Sequence, residues 1–67
     1  MNAETKIYSD FIKREKVVVT KDSFQYNFNK VQLQKDDDGK WYAEQDDKCH
    51  SKKAAIYWYI KNHLSNF

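Results

Sequence analysis

The sequence predicts an α+β fold: an antiparallel meander of three or four strands packed by an N-terminal and a C-terminal helix. Three observations predict it. Ile7, Tyr8, Phe11 and Ile12 recur at helical spacing near the start. Phe24, Tyr26, Val31 and Leu33 alternate with amide side chains in the middle, the period of a half-buried strand. Ile56, Ile60 and Leu64 recur at helical spacing near the end. The expected element order is α-β-β-(β)-β-α, with the helices covering one sheet face.

The first helix is expected over about Ala3 to Glu15. Lys6, Ser9, Lys13 and Lys16 fall on its polar side, Asn2 stands as a cap and Glu4 lies in the favourable first turn. Lys16 to Thr20 follows, where three successive β-branched valines favour a strand. Lys21-Asp22-Ser23 reads as a turn.

Beyond Phe28 the alternation changes phase, so one straight strand cannot keep all the apolar residues on one face. Two devices repair this. A tight turn at Asn29-Lys30 pairs Phe28 with Val31 and Tyr26 with Leu33, and a β-bulge at the same place also resets the phase. Asp36-Asp37-Asp38-Gly39 is a turn signal, with Gly39 free to take a positive φ. A three-residue loop ending at Gly39 sets Trp41 and Ala43 of the next strand, Lys40 to Gln45, beside Lys35 and Leu33. The last helix is expected from Ser51, its cap, to Asn66, with Ile56, Ile60, Leu64 and Phe67 as its buried stripe.

The 67 residues make one domain, spanning residues 1–67. At this size a chain buries only about 60% of its unfolded surface, so stability is marginal. The single cysteine, Cys49, rules out an internal disulfide and suits a reducing compartment. Aromatic residues make up 16% of the chain and offer a substitute for disulfides, because each large ring buries roughly 150–250 Å². Homodimerisation is another way to gain burial. Met1 to Lys6 lacks the apolar stretch of an export signal, and the uncharged run from Ala54 to Ile60 is far short of the ~20 residues that cross a bilayer. The expected localisation is therefore cytoplasmic, with no membrane partner.

Twelve basic and ten acidic residues leave a net charge of +2. A dedicated DNA-binding domain is usually more basic. Arg14 is the one arginine, and arginine is the preferred bidentate reader of guanine and phosphate. The abundance of Lys and Asn suits an AT-rich genome such as that of a phage or another mobile element.

Reactive constellations are weak. Cys49-His50 with Asp46, Asp47 and His63 lacks the paired cysteines and recurring spacings of structural zinc sites. Cys49 and His50 are adjacent, and neighbours on a loop rarely face each other as nucleophile and base. The three consecutive aspartates do not follow the alternate-position pattern of a calcium loop. The expectation is a non-enzyme without cofactor or metal.

Two surfaces stand out. Trp58 lies nearly opposite the Ile56-Ile60-Leu64 stripe, among Ala54, Lys61, Asn62 and Ser65. An exposed tryptophan ringed by small and polar groups is a hot-spot arrangement; the alternative is that the first helix or a second subunit covers it. Gln25, Asn27, Gln32 and Gln34 should line the outer sheet face, a neutral amide surface suited to contact with protein. The expected protein-binding residues are thus Trp58, Ala54, Lys61, Asn62, Gln32 and Gln34. Lys48, His50, Lys52 and Lys53 gather at the start of the last helix, where cations are disfavoured. Either they form a nucleic-acid or anion site with Lys61, or Asp46 and Asp47 neutralise them.

Lys40-Trp41-Tyr42-Ala43-Glu44, followed by Ala54, Ala55 and Tyr57 in a helix, resembles the C-terminal half of the plant ethylene-response-factor DNA-binding domain. The strand-then-helix plan is also similar to the arm-binding domain of some integrases. In both families the sheet enters the DNA major groove. This chain departs from them by offering glutamines and Glu44 where those sheets offer basic residues.

The leading expectation is a non-catalytic protein-interaction module, an accessory or inhibitor protein of a phage or mobile element that binds a host protein. The alternative is a small nucleic-acid-binding domain using the lysine cluster and the sheet face.

Overall fold

In the computed structural model, which describes residues 3–64 and the side chains of residues 6–64, a four-stranded antiparallel sheet is flanked by an N-terminal and a C-terminal helix. The strands follow one another in the order β1-β2-β3-β4, a simple meander.

Helix α1 spans Ala3–Arg14. It ends without glycine. Lys16 takes the left-handed conformation (φ 56°), its N–H donates to Lys13 O at 3.3 Å, and the Val17 N–H donates to Ile12 O at 3.0 Å. This pair of bonds is a Schellman cap, and it is completed by burial of Val17 against the core on which Ile12 also packs. A residue with a Cβ in this conformation costs roughly 1–2 kcal/mol, so packing of Val17 overrides the local preference of Lys16. Phe11 is buried, but Ile7, expected on the same buried face, is 53% exposed. The packed strip of α1 runs through Tyr8, Phe11 and Ile12, and Ile7 is rotated ~100° from Tyr8.

The three valines supply only a short strand, β1 (Val18–Val19), because Val17 is taken up by the helix cap. Thr20 and Ser23 close the turn into β2 (Ser23–Tyr26): the Thr20 N–H donates to Ser23 O at 2.9 Å and their hydroxyls pair at 2.5 Å.

The β2–β3 connection corrects the sequence expectation. The turn lies at Asn27-Phe28, with Phe24 paired to Val31 and Tyr26 to Asn29; neither a turn nor a bulge occurs at Asn29-Lys30. Both central residues have positive φ (47° and 70°), the signature of a type I′ hairpin turn. Side-chain alternation could not distinguish the two registers, because a slip of two residues per strand keeps every side chain on its own face. Both candidate turns open on an asparagine, which tolerates the left-handed conformation, so turn chemistry does not separate them either. In the observed register Phe28, expected inward, is 97% exposed.

β3 (Asn29–Lys35) and β4 (Trp41–Ala43) pair Leu33 with Ala43 and Lys35 with Trp41, as the sequence predicts. Gly39 (φ 81°) makes this loop, which the Asp36 N–H closes by donating to Lys40 O at 2.9 Å. The far edge of β4 is covered by the chain itself, since Trp41 and Cys49 exchange backbone hydrogen bonds of 2.8 and 2.7 Å.

Helix α2 (Lys52–Tyr59) is capped by Ser51, whose Oγ accepts from the Ala54 N–H at 3.1 Å. It does not continue as an α-helix to Asn66. A π-helical turn, Ile60–Leu64, follows, and Asn66 and Phe67 lie outside the described residues. Ile56 and Ile60 are fully buried, and Tyr59 joins them with its ring edge against Phe24 at 5.9 Å. The core thus sits between the inner sheet face (Phe24, Tyr26, Val31, Leu33, Ala43) and the two helices. The opposite sheet face, bearing Val18, Gln25, Lys30, Gln32, Gln34 and Tyr42, carries no helix among the described residues.

Candidate functional site

Trp58 follows Ile56 by two residues, so a helix that buries Ile56 must turn Trp58 outward. The indole is 46% exposed. It is held from one side: Tyr57 meets it edge-on at 5.1 Å, and Tyr57 in turn packs on Tyr8 at 5.0 Å and Phe11 at 4.9 Å. Tyr57 fills the seam between α1 and α2, and the Trp58 ring stands beside it. On its other side it borders a shallow groove, whose walls include Asp46, Asp47, Cys49, Ala55 and Asn62.

The groove is acidic and its geometry is fixed by Asp46. The Asp46 N–H donates to Ala43 O at 3.0 Å, closing the turn after β4, where Glu44 takes φ 54°. Asp46 Oδ1 lies 2.6 Å from His63 Nε2, joining this turn to the π-helical turn. Tyr59 stacks on the same imidazole at 4.6 Å. Asp46 Oδ2 is buried and has no hydrogen-bond partner among the described residues. Cys49 is half-buried; burial first, then Asp47 and Asp46, push its thiol up from the usual range, so it stays protonated at neutral pH. A protonated thiol is a poor nucleophile and metal ligand.

The residues expected at the interface do not form one surface. Trp58 and Asn62 share the groove, and Lys61 lies over the outer side of the Tyr57 ring at 5.3 Å. Ala54, expected to flank the indole at the surface, is buried at 7% exposure, although it lies one turn before Trp58 on the same side of the helix and outside the main core cluster. Gln32 and Gln34 are exposed on the helix-free sheet face, with Gln34 Oε1 accepting from the Tyr42 hydroxyl at 2.8 Å.

The expected lysine cluster is dispersed. Lys48 Nζ pairs with Asp36 Oδ2 at 3.1 Å. Lys52 Nζ donates to Lys21 O at 2.7 Å and to Thr20 O, and stands over the Trp41 ring at 5.4 Å. Lys53 Nζ donates to Ser9 Oγ at 3.1 Å on α1. His50 is exposed on the preceding loop. Each lysine thus reaches a different neighbour, and the cations do not converge at the helix N-terminus. Long flexible stems make this outcome invisible to sequence spacing.

The three aspartates of the β3–β4 loop serve the turn. Asp36 Oδ1 accepts from the N–H groups of Asp38 (3.0 Å) and Lys40 (2.9 Å). The Lys40 N–H, and after it Lys48, hold the Asp36 carboxyl below the usual carboxylate range. Among the described residues no group of three or more His, Cys, Asp or Glu is placed to hold a metal ion. No described helix is long and apolar enough to cross a membrane.

No protein-family model, curated protein or solved structure matches this chain. The site must be read from its chemistry. Two features escaped the sequence reading: the Asp46–His63 contact, which joins residues 17 positions apart, and the exposed Phe28. The first had no local signal. The second had no decisive one, since Asn27-Phe28 and Asn29-Lys30 both open on asparagine and neither ends in glycine.

Proposed function

We propose that this chain is a non-catalytic protein-interaction module, acting as an accessory or inhibitory protein of a phage or mobile element by binding a host protein. The observation that carries the reading is Trp58: a large indole, 46% exposed, braced by Tyr57 and bordered by an acidic groove. Tryptophan at the centre of a partly enclosed surface is the residue type most enriched among binding hot spots. Asp47, exposed beside it, favours a partner segment bearing lysine or arginine. The partner contributes aliphatic or cationic groups that cover the indole face.

A second reading, nucleic-acid binding, draws support from the helix-free sheet face. Gln25, Gln32 and Gln34 are exposed there together with Lys30. Glutamine amides can pair with adenine edges in a major groove. The dispersal of the helix-start lysines speaks against the phosphate contacts such binding needs.

The deciding experiment is capture from a host lysate by wild type and by Trp58→Ala, alongside a mobility-shift assay at 50 and 200 mM salt, concentrations over which phosphate contacts lose affinity by orders of magnitude. Capture of one protein by wild type and its loss in a folded Trp58→Ala supports the module. Tight, salt-sensitive binding of DNA or RNA overturns it.

A further inference from the structure

Phe28 breaks two rules at once. It takes φ 70° at the second central position of a two-residue turn, a place that favours glycine. Its side chain is 97% exposed, so it contributes nothing to the core in return. Where a residue conflicts with both its backbone and its burial, function is the first explanation to test.

The geometry around it is that of a rigid projection. The Tyr26–Asn29 pair closes the hairpin beneath the turn, and Asn29 Nδ2 donates to Asn27 O at 3.2 Å across it. Tyr26 is buried in the core and brings its hydroxyl within 3.5 Å of Glu15 Oε1 just beyond α1. The ring of Phe28 therefore stands alone on a convex tip. A phenylalanine has only two side-chain torsions to lose on binding, so its immobilisation costs little.

We propose that the β2–β3 tip is a second contact point of the interaction module, at which Phe28 inserts into a concave apolar pocket with an acidic rim on a partner protein. This rests on the protein-interaction reading above. A single convex ring fits a concavity. It does not fit extended single strands, which are bound on successive exposed aromatics, and no second exposed aromatic ring stands in this turn. The acidic rim follows from charge. Lys30 is exposed two residues beyond Phe28, residues 23–35 contain no acid, and Arg14 at the end of α1 is offset by Glu15 at 3.3 Å. Within the hairpin the flanking acids, Asp22 and Asp36, lie beyond its other end.

The test replaces Phe28, and separately Trp58, with the photo-crosslinker p-benzoylphenylalanine in the full chain and irradiates the producing cells. The expected result is a discrete adduct to the same protein from both positions, with the position 28 adduct mapping to an apolar pocket flanked by Asp or Glu. Phe28→Gly should raise the melting temperature, since glycine accepts the positive φ, yet weaken binding to that protein by ~10-fold or more. An adduct from position 58 but none from 28, or unchanged affinity of Phe28→Gly, overturns the tip proposal and leaves the module standing. Adducts from position 28 to lipid, nucleic acid or a second copy of the chain also overturn it. Absence of any protein adduct from either position overturns both.

Discussion

Lys52 lies over the ring of Trp41 at 5.4 Å while donating to the carbonyl of Lys21, so the first residue of α2 clamps the sheet to the β1–β2 turn. Lys35 approaches the same indole at 5.6 Å. A lysine that sequence spacing offers to a ligand is thereby committed to the fold. Lys52→Ala should cost about 1–2 kcal/mol, one cation–π contact plus hydrogen bonds to two carbonyls. Urea unfolding measures it. A neutral result would return Lys52 to the pool of available cations.

The same logic separates Trp58 from the core. Trp58→Ala should leave the circular dichroism spectrum intact and cost under about 1 kcal/mol, as expected for a half-exposed ring away from the main cluster. Phe24→Ala, which empties a fully buried position between the sheet and Tyr59, should cost about 3–5 kcal/mol and unfold much of the population at 37 °C. Equal losses in the two variants would place Trp58 in the core.

Lys16 carries a conformational cost at the α1 cap that glycine would not. Lys16→Gly should stabilise the protein by about 0.4–1 kcal/mol, read as an upward shift in melting temperature. Ser51→Ala, at the other helix, removes the acceptor for the Ala54 N–H and should cost about 1 kcal/mol.

Tyr59 predicts an alkaline weakness. Burial first, and Glu44 beside it, push its hydroxyl above the ordinary tyrosine value of 10.0. Ionisation is thus harder in the folded chain than in the unfolded one. The associated stability is complete below pH 10 and declines as pH rises through the raised folded-state value. The stability difference between wild type and Tyr59→Phe should be flat from pH 7 to 9 and shift against wild type above pH 10. A difference that stays constant through pH 11 would show that the hydroxyl reaches water.

Much of the architecture was legible in the residues. Period-two alternation marked β2 and β3, helical spacing placed Phe11, Ile56 and Ile60 inside, and Asp36 to Gly39 fixed a turn that set Leu33 against Ala43. The site was legible only in outline. The angular offset of Trp58 from Ile56 follows from helix geometry alone, but the burial of Ala54 and the separation of Gln32 and Gln34 from the indole do not.

By itself the sequence determined the inner and outer faces of β2 and β3 and the buried positions Phe11, Ile56 and Ile60, because side-chain direction is periodic along a helix or strand. Only the tertiary structure decided the register of the β2–β3 hairpin, the short reach of β1 and the destinations of Lys48, Lys52 and Lys53. Register is degenerate under a two-residue slip, and a lysine stem spans several Å in any direction. Both are settled by contacts between residues far apart in the chain, which no local pattern encodes.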